Sequence, residues 1–234
     1  MNRAVKNYSF DNEDFGAALT KQAIHMDQGT CYNPEYLAVR QVSLYPSRVA
    51  QIIRAVYLGE LKASRRGAEI VFSSILSGQG ERWQNFSEPE SDFLHCLILG
   101  RELFAERGLS PIAHGESLDV KASPGRDAFW KESITLRPDG DCHLFIDDAS
   151  FEYTGGAPSK LGKFLEKKGV KVSGYSSSST GFAPLAHGFV GEGIKLLSDL
   201  VERLKATKAR KVMTVSGQGK YALTVLTDIF GIRR

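Results

Sequence analysis

The chain has 234 residues, 42% hydrophobic and 24% charged, with a net charge of +3. That is the balance of an ordinary soluble globular protein with room for one large core or two small ones. The lack of a long Lys/Arg run argues against nucleic acid as the main partner. No apolar stretch approaches the ~20 residues that span a bilayer. Acids come early in MNRAVKNYSFDNEDF and no apolar core follows, so no secretory signal is read. Three scattered cysteines, Cys31, Cys96 and Cys142, make neither a disulfide framework nor a metal-site spacing. A reducing, cytoplasmic setting is therefore expected.

Asp11 to Ile24 carries a faint helical pattern, followed by HMDQGTCYNP (His25–Pro34). Pro46 opens a helix with Val49, Ile52, Ile53 and Val56 at i, i+3, i+4 and i+7, expected to end near Gly59. A basic segment with a glycine follows (Ser64, Arg65, Arg66, Gly67). After it come the apolar run Glu69–Leu76 and the loop Ser77–Gly80, SGQG. Ser87 and Glu90 form a capping box, with Pro89 in the first turn of a second helix. That helix carries Leu94, Leu97, Ile98 and Leu103 and closes at Gly108. Leu109 to Asp141 is rich in proline and glycine and reads as an irregular linker with one short strand, Ser133–Leu136.

From Cys142 the pattern changes. A strand (Cys142–Asp148) leads to a helix, Pro158–Lys168, closed by Gly169, and to a short strand, Val170–Val172. A serine-rich loop runs from Ser176 to Pro184, and a long helix from Gly191 to Lys205. The strand Lys211–Ser216, the loop Ser216–Gly219 and a last helix from Tyr221 complete it. Strands alternating with helices indicate βαβ units and a mostly parallel sheet. The expected class is α/β, or α+β over the whole chain: a helical domain at 1–115, a linker at 116–140 and an α/β domain at 141–234.

Open α/β sheets place their sites in loops after strands. That puts Asp147, Asp148, Ser179, Thr180 and Ser216 in one candidate site. Gly217 and Gly219, ahead of a helix, would offer backbone N–H groups. GFVGEG (Gly188–Gly193) has the wrong glycine spacing for a dinucleotide fingerprint, and no GxxxxGK[ST] exists. His187 has no nucleophile beside it and is read as a surface or helix-start residue. His95 and Cys96 are adjacent on a helix, so they face different ways and are read as one exposed and one packed. Lys205, Lys208, Arg210 and Lys211 form a solvated basic corner. Trp83 and Trp130 are candidate docking aromatics.

Several landmarks carry a resemblance. LEKKGVKV (Leu165–Val172) resembles the turn of the cysteine-rich "CCG" domain of heterodisulfide reductases and glycolate-oxidase-type iron–sulfur subunits. The order of the other landmarks agrees, with the sulfur gone. Asp147-Asp148 stands where that family has Gly-Cys, and Ser179-Thr180-Gly181 where it has CCG. Ser216 and Gly219 stand where it has Cys-x-x-Cys. The first half resembles the family's two-cluster ferredoxin-like subunit. QGTC (Gln28–Cys31) stands for CGTC, Pro46–Glu60 for the inter-cluster helix, and Ser74, Ser77, Gly80 and Gln84 for the second cysteine run.

A [4Fe–4S] cluster needs about four ligands, usually thiolates. Only Cys31 and His25 stand as ligand candidates at the first aligned site, and no cysteine stands at the others. The resemblance therefore implies a cluster-less relative with no iron–sulfur cofactor. Such a chain would be a structural or regulatory subunit without catalysis of its own. Its partners would be redox-complex subunits or a second copy of itself. One alternative is a small anionic or thiol ligand, or an enzymatic activity, in the emptied pocket. That pocket would be formed by Asp147, Asp148, Ser179, Thr180, Gly181, Ser216, Gly217 and Gly219. A second alternative is electron transfer through an unusual cluster on Cys31 and His25.

Overall fold

The computed structural model describes residues 13–25, 33–76, 78, 93–116, 132–153 and 157–233. The fold is α/β: helices together with a three-stranded parallel sheet. The chain divides into two compact units. Gln28, Cys31, Ser77, Gly80, Gln84, Trp83, Trp130 and the capping box at Ser87 and Glu90 lie outside the described residues.

The helical unit comprises the described residues between 13 and 116, together with Pro184–Val190. Its helices are α1 (Glu13–His25), α2 (Pro34–Val39), α3 (Pro46–Tyr57), α4 (Arg65–Ser73) and α5 (Phe93–Ala105), with a 3₁₀ turn at Val42–Leu44. Local chemistry sets their starts. Asn33 Oδ1 accepts from the Tyr36 N–H at 2.8 Å, and Ser64 Oγ from the Gly67 N–H at 3.1 Å, each satisfying one of the donors a helix start leaves open. Helix α3 buries Val49, Ala50, Ile53 and Val56 and ends ahead of Gly59, whose φ is +74°. Helix α1, with Leu19 fully buried, packs on α3, where Phe15 meets Tyr57 edge to face with centroids 5.0 Å apart.

Helix α5 is buried on every side from Phe93 through Arg101, so its hydrophobic residues show no single stripe. His95 is buried as well as Cys96, which corrects the expectation that one of them faces solvent. Gly100 meets α3 where any side chain would collide: a Cβ there would come within 2.5 Å of Ile53 Cδ1. The apolar run after Gly67 belongs to α4, a helix that opens at the Ser64 cap and that the sequence reading left unassigned.

The α/β unit comprises 132–183 and 191–233 of the described residues. Strands β1 (Cys142–Asp147), β2 (Val172–Ser178) and β3 (Lys211–Thr214) are parallel in the order β2-β1-β3. Central β1 is buried along its whole length, as a strand covered on both faces must be. Leu144, Ile146, Val172, Leu165 and Ile134 form a core cluster, each large side chain contributing on the order of 1.5–3 kcal/mol by burial. The expected strand at Ser133–Leu136 is instead a single parallel bridge from Leu136 to Val172.

The serine run was expected to be loop, yet it is mostly strand. Pairing with buried β1 and the needs of the hydroxyls override the low strand preference of serine. Ser173 Oγ donates to the Cys142 carbonyl at 3.0 Å, and Ser176 Oγ lies 2.9 Å from His143 Nε2. Five helices connect and follow the strands: α6 (Asp148–Tyr153), α7 (Ala157–Lys167), α8 (Phe182–Ala186), α9 (Val190–Ala206) and α10 (Gly217–Tyr221). A π-helical turn (Ala222–Leu226) and α11 (Thr227–Ile229) end the described chain. SGQG at 216–219 is thus a helix start, not a loop. Among the described residues no helix is long and apolar enough to cross a membrane.

Candidate functional site

The C-terminal ends of the three strands bring the expected residues together. Strand β1 ends at Asp147, and Asp148 turns at once into α6. Both carboxylates are buried, and buried carboxylates must be hydrogen-bonded. Asp147 Oδ1 accepts the Ser150 N–H at 2.8 Å, and its Oδ2 accepts the Ser216 hydroxyl. Asp148 Oδ2 accepts from Ser179 Oγ at 3.1 Å, and its Oδ1 from Thr180 Oγ1 at 3.3 Å and Gln218 Nε2 at 3.1 Å.

The same hydroxyls also close their own loops. Ser216 Oγ accepts the Gly219 N–H at 3.0 Å, which caps α10. Ser179 Oγ accepts the Gly181 N–H at 3.2 Å, and Thr180 Oγ1 the Phe182 N–H at 3.3 Å. Gly181 has φ +74° and lies so close to the Gly193 carbonyl that a Cβ would strike it. A Cβ on Gly219 would strike the Asp147 carboxylate.

Burial pushes the Asp148 carboxyl above the usual carboxylate range. Hydrogen bonds from Ser179 and Thr180 pull the other way, and the neighbouring Asp147 pushes upward. The site is therefore a three-loop knot in which each polar side chain answers another. Gly217 alone among the expected residues stays outside it: it is exposed and its surroundings are open. Gln218 was missed. It donates to Asp148 and, at 3.3 Å, to Thr180 Oγ1. Its position between two expected loop glycines was the available signal.

Other candidates fall elsewhere. Cys142 is buried on β1, and burial pushes its thiol up, away from the reactive thiolate. His187 follows α8 rather than opening a helix. It is half-buried, and burial, with the Arg101 charge second, pushes its pKa down. His25 is the last residue of α1. In the basic corner, Lys205 pairs with Glu202 and Lys211 with Asp141 at exposed positions, where such pairs contribute little.

Ser74, at the second aligned cysteine run, is buried between two charged residues the sequence reading passed over. Its Oγ donates to Glu35 Oε1 at 3.3 Å, and its carbonyl accepts from Arg101 Nη2. Arg101 Nη2 also reaches the Val71 and Phe72 carbonyls, and Nη1 donates to the Ala186 carbonyl at 2.7 Å. Arg101 thus covers the open carbonyls at the end of α4. Burial lowers its pKa to about 10, against the support of Glu35. Among the described residues no three His, Cys, Asp or Glu side chains are grouped as a metal site needs.

No family model matches the chain, and no solved structure matches it. Among curated proteins, the chain is similar to the DNA-directed RNA polymerase subunit beta of Anaplasma marginale (strain Florida). The identity is 25% over 174 residues, covering 69% of this chain and 12% of that protein.

Proposed function

We propose that this chain is a cluster-less structural or regulatory subunit, related to heterodisulfide-reductase-type iron–sulfur proteins and working among redox-complex partners. One observation carries the reading. The three loops that align with that family's cysteine loops meet at one end of the sheet, and their side chains satisfy one another. Metal binding commonly supplies folding free energy. A chain that has lost cluster ligands needs another way to tie these loops, and hydroxyl–carboxylate bonds supply one. The same engagement argues against catalysis there: the hydroxyls that would attack or bind a substrate already serve Asp147 and Asp148.

The test has two arms. Iron and acid-labile sulfide measured on anaerobically purified protein should be absent. About four irons per chain, with broad absorbance near 400 nm, would overturn the cluster-less reading. Affinity capture from the native source should bring down a flavoprotein or an iron–sulfur subunit. Capture of the chain with no redox subunit would overturn the partner assignment.

A further inference from the structure

Helix α7 turns a face of a single sign away from its core. Lys160, Lys163, Phe164, Lys167 and, just past its end, Lys168 follow at i, i+3, i+4, i+7 and i+8, the spacing of one helix face. All five are exposed. Leu161 and Leu165 turn the other way, into the core cluster. Gly162 lies against the Ser133 carbonyl, where a Cβ would collide. The seat of the helix is therefore fixed, and with it the direction of the lysines. Glu166 is the one carboxylate of α7, and it is drawn aside: its Oε1 accepts from Thr135 Oγ1 at 2.6 Å.

This face works against the helix that carries it. Among the described residues no carboxylate pairs with Lys160, Lys163 or Lys167. Lys163 and Lys167 are like charges at i, i+4, which repel. Lys160, in the first turn, opposes the helix dipole, while Lys167, in the last, favours it. At the centre Phe164 is 53% exposed, with Lys168 Nζ 5.9 Å from its ring centroid. A face that had only to stay solvated gains by mixing signs.

The occupant that fits is anionic, and its kind follows from the residue types. Protein interfaces favour arginine and disfavour lysine, whose flexible, hydrated ammonium makes no bidentate pair. A duplex phosphate backbone would take the charges but leave Phe164 in water. A layer of acidic headgroups takes both, because its charge is diffuse and an apolar boundary lies beneath it. We propose that the α7 face docks this protein on a membrane surface of acidic lipids, with Lys160, Lys163, Lys167 and Lys168 on the headgroups and Phe164 below them.

Sedimentation of the full chain with vesicles tests it. Phosphatidylcholine with about 30% phosphatidylserine should bind at least about ten-fold more tightly than phosphatidylcholine alone, and high salt should erase the difference. Lys163→Gln with Lys167→Gln should weaken binding to the acidic vesicles roughly 20-fold. Phe164→Ser should weaken it about ten-fold with no change of charge. All three substitutions are at exposed positions, so the melting midpoints should stay at the parent value. In Phe164→Trp the emission should shift to the blue on acidic vesicles by more than in the parent chain. Equal binding to the two kinds of vesicle, or unchanged binding in the paired lysine variant, would overturn the proposal. So would unchanged binding in Phe164→Ser, which would mark diffuse charge alone. Binding to poly-L-glutamate or to oligo-dT as tight as to acidic vesicles would assign the face to an acidic protein or a nucleic acid and likewise overturn it.

Discussion

Gly219 and Gly217 are two residues apart and differ in what a methyl group would meet. At Gly219 it would press on the Asp147 carboxylate, while at Gly217 it would meet nothing within 4 Å. Neither has a positive φ, so both accept alanine as far as the backbone goes. Gly219→Ala should therefore cost on the order of 1–3 kcal/mol by overpacking a rigid, hydrogen-bonded site. Gly217→Ala should be neutral or stabilise by about 0.4–1 kcal/mol through the unfolded chain. Urea denaturation of both variants checks this, and equal destabilisation would count against the closed knot.

Glu102 brings pH into the same scale of argument. Burial, reinforced by Glu106, pushes its carboxyl up to about 7, whereas an unfolded chain leaves it near ~4.3. Between those values the folded state holds a proton that the unfolded state has lost. Its contribution to stability is thus full below about pH 4 and is lost as pH rises through about 7. Partial exposure screens the effect. Denaturation midpoints at a series of pH values should fall less steeply between pH 5 and 7.5 in Glu102→Gln than in the parent chain. Asp148, also raised, acts with the same sign. Identical slopes in parent and variant would remove Glu102 from the account.

At the scale of elements, Arg101 binds the end of α4 while Glu35 holds the residue after it. Arg101→Met should remove the cover from those carbonyls and leave Glu35 buried without a balancing charge, a cost of about 3–5 kcal/mol. Adding Glu35→Gln should restore part of it, because the two charges answer each other. A double-mutant cycle should show a coupling of about 0.5–3 kcal/mol. A coupling of zero would mean that the two residues act independently.

Much of the order of elements was legible, and for physical reasons. Pro46 and the spacing of Val49, Ile53 and Val56 announce α3, and Gly59, Gly108 and Gly169 mark real stops with positive φ. The meeting of Asp147, Ser179 and Ser216 was expected from strand alternation, because parallel strands bring their ends to one edge, together with the order of the landmarks in the resemblance. What stayed hidden depended on partners distant in sequence. Ser173–Ser178 is strand because β1 lies beside it, not because serine favours strands. Glu35 and Arg101 read as surface charges in any local window, and their burial shows only when α2, α4 and α5 meet. Ser64 was a cap in plain view, masked by the arginines that follow it.

At the scale of the whole molecule, Pro184–Val190 leaves the run of the α/β unit and is counted within the helical one. Ala186 accepts from Arg101, and the His187 carbonyl accepts from Ser110 Oγ at 3.1 Å. His114 and Phe189 meet edge to face at 5.0 Å. Gly188, with φ +81°, lies where a Cβ would come within 2.7 Å of the Arg101 carbonyl oxygen. A fragment of residues 1–131 lacks all of these contacts. Its α5 amides should exchange with solvent at least ten-fold faster than in the full chain, and added peptide 180–192 should slow them. Equal exchange in fragment and full chain would show that the segment contributes nothing.

That returning segment also sets a clock. Domains generally fold as units, the N-terminal one first, during synthesis at roughly 5–20 residues per second. Here the unit encoded first is not complete until residue 190 has emerged, by which point β1 and β2 already exist and β3 does not. Translation therefore cannot finish one half before starting the other. During that interval the half-made sheet and the unplugged helical core are exposed together, so a pause between codons 131 and 184 is where a ribosome-bound chaperone has most to protect.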